Sequence, residues 1–228
     1  MADALRPHLE ILPPAQRRLW AELGSTPASF VLHGGTAIAL HLGHRTSVDF
    51  DFFSDQDLDQ DQLLIDVPYL ANAVITHREP NTLSCRVDRG GPVQLSFFGL
   101  PRLRRLRPPI LAPDNGLPVA DLFDLAGAKA AVVQVRAEAK DYLDIDALMT
   151  MGGIELTVAL ACAQLIHGCQ FNAQVTLKAL SYFDDGNVSS LPAATKDRLA
   201  QAARRVDLDG LPAIMASISA AFPGGRGR

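Results

Sequence analysis

Short apolar runs and alternating patterns dominate the first half of the chain. Phe30-Val31-Leu32 is an unbroken apolar run, and residues 48–53 alternate aspartates with apolar side chains, so both segments predict strands. Three further strands are predicted at 74–77, 83–88 and 93–98, the last two joined by a hairpin turn at 88–92. Helices are predicted at 14–23, 36–42 and 57–65, the last with Ser54 as its N-cap. The pattern indicates a small mixed sheet with flanking helices.

The second half of the chain has a different periodicity. From about residue 120 the apolar spacing is helical, and helices are predicted at 120–150, 154–168, 173–183, 192–206 and 211–221. An Arg- and Pro-rich stretch at 101–113 connects the two halves. We therefore expect an α+β protein in which residues 1–113 form the sheet region and residues 114–228 form a C-terminal helical region.

Composition narrows the class of protein without changing this outline. The chain has 228 residues, of which 48% are hydrophobic and 20% charged, as is typical of globular proteins with a sizeable core. It has no apolar run of about 18 residues, and its start lacks the apolar core of a secretory signal. Cys85, Cys162 and Cys169 show neither paired nor zinc-site spacing. We expect a cytoplasmic protein that does not associate with a membrane.

Charge is distributed unevenly along the chain. The net charge of −4 argues against a surface that binds nucleic acid everywhere. A local basic track is nevertheless present, at Arg102, Arg104, Arg105 and Arg107. Such a track is compatible with binding to an RNA backbone or a triphosphate, and equally with a solvated linker.

The aspartates of the strand at 48–53 suggest a metal site. Residues i and i+2 of a strand point to the same side, so Asp49 and Asp51 are expected together, with Val48, Phe50 and Phe52 on the other side. Two carboxylates roughly 7 Å apart at the backbone repel each other unless water or a cation lies between them. Oxygen ligands in this arrangement favour one or two divalent cations such as Mg²⁺ or Mn²⁺.

The glycines before this strand suggest a phosphate site. Gly34 and Gly35 interrupt an apolar strand, and Thr36 stands near the start of the helix that follows. Glycines allow an anion to approach the backbone N–H groups, and the first N–H groups of a helix are unpaired. Phosphate and metal sites this close in sequence indicate a bound nucleoside triphosphate. The alternative is a tight strand-to-helix turn followed by a solvated acidic edge.

A second polar set lies on the helix predicted at 120–150. Lys129, Arg136, Lys140 and Asp144 are spaced by 7, 4 and 4 residues, which keeps them within a sector of roughly 80° on one helix. They would form either one wall of a triphosphate-binding cleft or an exposed face of ion pairs. As the carboxylate that shares a helix face with Lys129, Asp144 is preferred to Asp141, because Asp141 is expected to point about 120° away from Lys129.

The stretch from Gly34 to Phe53 resembles the first motif of the nucleotidyltransferase superfamily that shares the polymerase-beta-like minimal fold. More narrowly, it resembles the AbiEii/AbiGii-type toxin nucleotidyltransferases, and a second match lies near residues 125–148. The resemblance implies in-line attack by an acceptor hydroxyl on the α-phosphorus of a nucleoside triphosphate. It also implies the toxin of a toxin–antitoxin or phage-defence pair, with tRNA as the acceptor and a cognate antitoxin as a partner.

The resemblance assigns roles to individual residues. Gly34, Gly35 and Thr36 would cradle the triphosphate, and Asp49 and Asp51 would hold the metal. In the second match, Lys129, Arg136 and Lys140 would contact phosphates and Asp144 would assist the acceptor. Arg45 is expected to reach a phosphate, and Ser47, by alternation, to line the cleft beside Asp49.

One position departs from the wider superfamily. A third carboxylate is usual on a neighbouring strand, and Ser96 occupies the corresponding place in the strand at 93–98. A serine cannot act as an anionic base near neutral pH. Either Asp144 substitutes for it, or the family does without it, or catalysis is weakened. The alternatives are a nucleotidyltransferase for a small molecule or a protein, and a non-catalytic nucleotide-binding or interaction protein.

Overall fold

The computed structural model describes residues 5–221. They divide into two compact units, one comprising residues 5–103 and 108–121 and the other residues 104–107 and 122–221. The first unit holds the strands and the second is helical, which confirms the predicted α+β class with a small mixed sheet and C-terminal helices.

The first unit is built on a seven-stranded mixed sheet. Its strands are β1 Val31–His33, β2 Asp49–Ser54, β3 Val74–Glu79, β4 Thr82–Asp88, β5 Pro92–Gly99, β6 Ile110–Leu111 and β7 Pro118–Val119. Their order across the sheet is β3-β4-β5-β2-β1-β7-β6. The β2–β5 and β1–β7 pairs are parallel and the other pairs antiparallel. Strands β6 and β7 were not predicted from the sequence, because two-residue strands carry no periodicity.

Three α-helices belong to this unit: α1 Pro14–Trp20, α2 Gly34–Leu42 and α3 Gln60–Asp66. Helix α1 packs against β5, and α2 packs against β1 and β2. The predicted N-cap of α3 was wrong. Asp59 caps this helix by accepting a hydrogen bond from the Gln62 N–H at 3.0 Å, whereas Ser54 is still part of β2.

Aromatic side chains form the core beneath the sheet. Phe50 and Phe52 alternate with the aspartates of β2 and are fully buried. The Phe52 and Phe97 rings stack with centroids 5.0 Å apart, and Phe30 meets Phe97 edge-on at 5.5 Å. Burial of each such ring contributes about 1.5–3 kcal/mol, so β2 is held firmly on its apolar side. Val48 contradicts the expected alternation: it is 47% exposed, because the strand begins only at Asp49.

The second unit is a helical assembly. Its α-helices are α4 Leu122–Val132, α5 Ala139–Thr150, α6 Leu156–His167, α7 Ala173–Ala179, α8 Ala193–Arg205 and α9 Leu211–Ala221. Gly127 lets α4 approach α6 closely, since a Cβ there would lie 2.9 Å from the backbone carbonyl carbon of Cys162. Among residues 5–221, no helix is both long and apolar enough to cross a membrane.

The single helix predicted at 120–150 was wrong. Helix α4 ends at Val132 and α5 begins at Ala139, with a non-helical segment between them. Val132, Val133 and Val135 are β-branched and disfavour the helical conformation, and Val135 is 83% exposed. The 7-4-4 spacing therefore does not place the polar set on one helix face.

Candidate active site

Strand β2 presents Asp49 and Asp51 on the polar side of the sheet. Asp49 is exposed and Asp51 half-buried, while the intervening Phe50 is fully buried. The structure therefore places both carboxylates on one face, as the alternation predicted. They lie at the start of the strand, immediately after the loop that leaves α2.

The glycine turn lies directly against one of these carboxylates. His33, the last residue of β1, is paired in register with Asp51. Gly34 follows with φ +73°, and a Cβ at this position would lie 2.7 Å from Asp51 Oδ2. Only glycine combines this backbone conformation with so close an approach. The fold thus brings the turn and the acidic pair to the same end of the sheet.

Thr36 and Ser47 hold the strand entry in place. Their hydroxyl oxygens are 2.7 Å apart, and both side chains are buried. Thr36 also donates a hydrogen bond to the carbonyl oxygen of Asp49. Because the Thr36 hydroxyl has a single proton, the Ser47 hydroxyl must donate to Thr36. These hydroxyls tie the start of α2 to the residue that carries the first carboxylate.

Arg45 lies in the loop between α2 and β2. It is half-buried, and its Nη1 donates a hydrogen bond to the Thr46 carbonyl oxygen at 3.0 Å. Gln16 secures the same loop by donating to the Val48 carbonyl oxygen at 3.0 Å. The hydrogen bond from Gln16 therefore anchors the loop directly before the acidic pair.

Ser96 stands where the third carboxylate was expected. In the parallel β2–β5 pair it lies opposite Asp51, and its hydroxyl is 3.2 Å from that of Ser84 on β4. A row of side chains therefore crosses the polar face in the order Ser84, Ser96, Asp51, His33. Sequence reasoning missed His33 and Ser84. The position of His33 directly before the glycine pair was a signal for the former, whereas nothing local marked Ser84.

The second polar set forms a buried cluster inside the helical unit. Lys129 Nζ lies 2.5 Å from Asp141 Oδ1 and 2.9 Å from Asp144 Oδ2, and both carboxylates are completely buried. Arg136 completes the cluster through Asp141, with its Nε 2.7 Å from Oδ2. The expectation that Asp141 points away from Lys129 was wrong, because the break after α4 changes the relation between the two residues.

The charges of the cluster balance within it. Burial alone would raise the pKa of Asp141, but hydrogen bonds from Arg136 and Lys129 and their positive charges outweigh burial and hold this pKa below its usual range. Two cations thus neutralise two buried carboxylates. Lys140 lies outside the cluster: its side chain is 48% exposed and pairs with Glu138 at 2.9 Å.

The acidic pair suits a cation that also binds phosphate. Within residues 5–221, no group of three or more His, Cys, Asp or Glu side chains is arranged to hold a metal ion. Mg²⁺ is commonly held by one or two carboxylates together with substrate phosphates and water. Asp49 and Asp51 supply two carboxylates, and the glycine turn at Gly34 lies directly against Asp51. The residues present therefore fit a divalent cation that is shared with a nucleotide.

Comparisons with known proteins give the family and the fold. Residues 18–217 match the family described as nucleotidyl transferase AbiEii toxin of a type IV toxin–antitoxin system. The uncharacterized protein aq_aa25 of Aquifex aeolicus (strain VF5) is 29% identical over 158 residues, which cover 68% of this chain and 74% of that protein.

Two solved structures share the fold. MenT4, the nucleotidyltransferase toxin Rv2826c of Mycobacterium tuberculosis H37Rv, superposes with a TM-score of 0.56 at 14% identity and 91% coverage of each chain. A protein from H. pylori assigned as a nucleotidyltransferase superposes with a TM-score of 0.52, also at 14% identity, over 90% of this chain and 95% of that one.

Proposed function

This chain belongs to the AbiEii nucleotidyl transferase toxin family of type IV toxin–antitoxin systems, and on that premise we propose a metal-dependent transfer of a nucleotide to an acceptor hydroxyl. The chain is a nucleotidyltransferase by family and fold. The nucleotide donor is a nucleoside triphosphate and the cation is Mg²⁺ or Mn²⁺. The acceptor is tRNA, the setting is the cytoplasm, and the partner is a cognate antitoxin.

One observation carries the proposal: the Asp51 carboxylate packs against Gly34, so that a cation site and a phosphate site coincide. Asp49 and Asp51 hold the cation, and the backbone N–H groups at Gly34 and Gly35 face the phosphates. A bound cation would neutralise phosphate oxygens and stabilise charge on the attacking and leaving oxygens. Thr36 and Ser47 act indirectly, because their hydroxyls hold the backbone of Asp49. Arg45, in the loop before β2, is the arginine or lysine closest in sequence to Asp49.

The protein groups position the reactants for in-line displacement. The acceptor oxygen bonds to the α-phosphorus while the bond from this phosphorus to pyrophosphate breaks. We assign Lys129, Arg136 and Lys140 to phosphate charge and Asp144 to the acceptor hydroxyl. For Lys129, Arg136 and Asp144, support comes from the buried cluster that they form with Asp141, since buried charges are costly and a carboxylate with a shifted pKa, such as Asp141, is often found at a functional site.

The test is transfer of label from each nucleoside triphosphate in the presence of Mg²⁺ and total RNA. Label is expected in the tRNA fraction and should vanish with Asp49→Asn, which removes a charge and leaves the shape of the side chain. Asp197→Asn, an exposed substitution on α8, is the matched control and should retain transfer. Nucleotide binding without transfer to RNA, protein or a small molecule would overturn the proposal.

Ser96 favours a second candidate function, in which the protein binds a nucleotide but catalyses no transfer. A hydroxyl beside Asp51 supplies no anionic base and no third charge for a metal. This candidate predicts that wild-type protein and Asp49→Asn both fail to label any acceptor, while only the wild type binds nucleotide with Mg²⁺. Transfer to a small molecule or protein would instead leave the reaction in place and change its acceptor.

A further inference from the structure

Positive charge is concentrated at residues 102–107, where the chain first passes from one unit to the other. Four of the six residues from 102 to 107 are arginines, and no acidic residue occurs between 89 and 113. The chain as a whole carries a net charge of −4. We call residues 102–107 the arginine segment. Four positive charges so close together repel one another unless an anionic partner or solvent surrounds them.

Hydrogen bonds hold the backbone of the arginine segment locally at each end. At its start, within the first unit, the Leu103 N–H donates to the Leu100 carbonyl oxygen at 2.7 Å, which closes a turn around Arg102. At its end, Asp124 accepts hydrogen bonds from the backbone N–H groups of Leu106 and Arg107 at 2.7 and 3.0 Å. Asp124 is 4% exposed, so a buried carboxylate directs each of its oxygens to the backbone of the segment. A solvated linker has no need of such an anchor.

The side chains of the segment differ in their surroundings. Arg107 lies over the Phe123 ring, with its Cζ 3.6 Å from the ring centroid. Stacking of this kind fixes the plane of the Arg107 guanidinium against the ring. Arg102 and Arg104 are exposed, and chain geometry alone keeps their Cα atoms within about 7 Å of each other.

Several arginines of the first and second units have internal partners, whereas Arg204 and Arg205, like Arg102 and Arg104, are exposed. Arg89 bonds to Glu22, Arg78 to Asp61 and Arg198 to Asp146. Arg17 and Arg18 donate to backbone carbonyl oxygens. Within residues 5–221, the side chains of Arg102 and Arg104 form no such hydrogen bond or ion pair, so their donors are available to an external anion.

We propose that the arginine segment binds the phosphate backbone of the RNA acceptor. The guanidinium fork matches phosphate oxygens in a bidentate fashion, and closely spaced arginines suit a partner that carries one charge on every nucleotide. Because Asp124 already holds the backbone at Leu106 and Arg107, little conformational entropy is lost there on binding. This inference rests on the proposed function, which brings RNA to the protein as its acceptor.

The test compares two double variants of equal charge change. Arg102→Gln/Arg104→Gln removes the exposed charges of the segment, and Arg204→Gln/Arg205→Gln removes two exposed charges from the end of α8. Affinity for unfractionated tRNA is measured without nucleotide over a range of KCl concentrations. For the segment variant, the slope of log K against log[KCl] should fall by about 1.5, and affinity should drop roughly tenfold or more at about 0.1 M KCl.

Further arms separate the possible results. The control variant should keep the wild-type slope, and Arg102→Lys/Arg104→Lys should keep the slope while it loses part of the affinity, because charge remains and the fork is lost. Equal slopes for the two Gln variants would overturn the inference. So would a variant whose Mg²⁺–ATP affinity falls while its tRNA affinity does not, because the segment would then serve the triphosphate. Failure of wild-type transfer would count against the proposed function only, since tRNA binding is measured without turnover.

Discussion

Replacing Asp141 by asparagine removes the charge that Lys129 and Arg136 share. The substitution keeps the size of the side chain, so that any loss reflects charge and not a cavity. Asp141 is completely buried and contacts Lys129 at 2.5 Å and Arg136 at 2.7 and 3.1 Å. Loss of one partner from a buried ion pair destabilises by about 3–5 kcal/mol, and we expect this loss in the free energy of unfolding near pH 7.

The pH dependence follows from the pKa of this group. Burial would raise the pKa of Asp141, but Arg136 and Lys129 hold it below its ordinary value. Its stabilising contribution is therefore complete above the unfolded-state pKa of about 3.9 and is lost as the pH falls through the folded-state pKa. The unfolding free energies of wild type and Asp141→Asn should thus converge at pH values below about 4.

Urea unfolding followed by far-UV circular dichroism measures the effect, because α4–α9 supply most of the helical signal. Trp20 is the only tryptophan and lies in the unit with the sheet, where its Nε1 donates to Asp114 at 2.6 Å. Its fluorescence reports that unit separately. Asp197→Asn is the exposed control. A variant within about 1 kcal/mol of wild type at neutral pH, or a change seen in Trp20 fluorescence alone, would refute the reasoning.

Three further substitutions test other contacts. Gly34→Ala should weaken Mg²⁺–ATP binding in titration calorimetry, because the new methyl would lie 2.7 Å from Asp51 Oδ2; Gly116→Ala has a similar φ of +76° with nothing within 4 Å and should bind as wild type does. Ser96→Asp places a third carboxylate beside Asp51 and should tighten Mn²⁺ binding roughly tenfold by electron paramagnetic resonance, more than Ser84→Asp one strand further away; equal effects would contradict the register argument. Gly127→Ala should lower the free energy of unfolding by about 1–3 kcal/mol, because its Cβ meets the backbone of α6; an unchanged urea midpoint would show that the helices can separate at no cost.

Local patterns predicted the elements that carry the acidic pair. The alternation from Asp49 to Phe53 and the apolar run before Gly34 each depend on neighbouring residues only, and both strands were found. The neighbours of these strands in the sheet could not be derived this way. Asp51 lies between Ser96 and His33 because β5 pairs with β2 in parallel and β1 pairs with it antiparallel, and long-range pairing leaves no trace in local periodicity.

The helical unit shows how a continuous pattern can mislead. The spacing of Lys129, Arg136 and Asp144 fits one long helix, yet the chain leaves the helix after Val132 and resumes at Ala139. The break allows Arg136 to turn onto Asp141 and thereby share it with Lys129. Here the pairing of charges in the folded protein outweighs the helical periodicity. Because β-branched valines have a low helix propensity, ending the helix at this point costs little free energy.

The two sets of proposed catalytic residues differ in their electrostatic design, and this difference determines how variants must be interpreted. Asp49 is exposed, so its charge costs little desolvation and its replacement should reduce cation binding with little effect on folding. Lys129, Asp141 and Asp144 are buried, and Arg136 supplies the second positive charge that balances the two carboxylates, so the loss of any one of the three leaves an uncompensated charge in the interior. If an Asp49 variant is folded but inactive, this indicates directly that Asp49 has a role in the reaction. Inactivity of a Lys129 or Asp144 variant carries that meaning only when its unfolding free energy is measured alongside, because the same substitution removes a support of the helical unit.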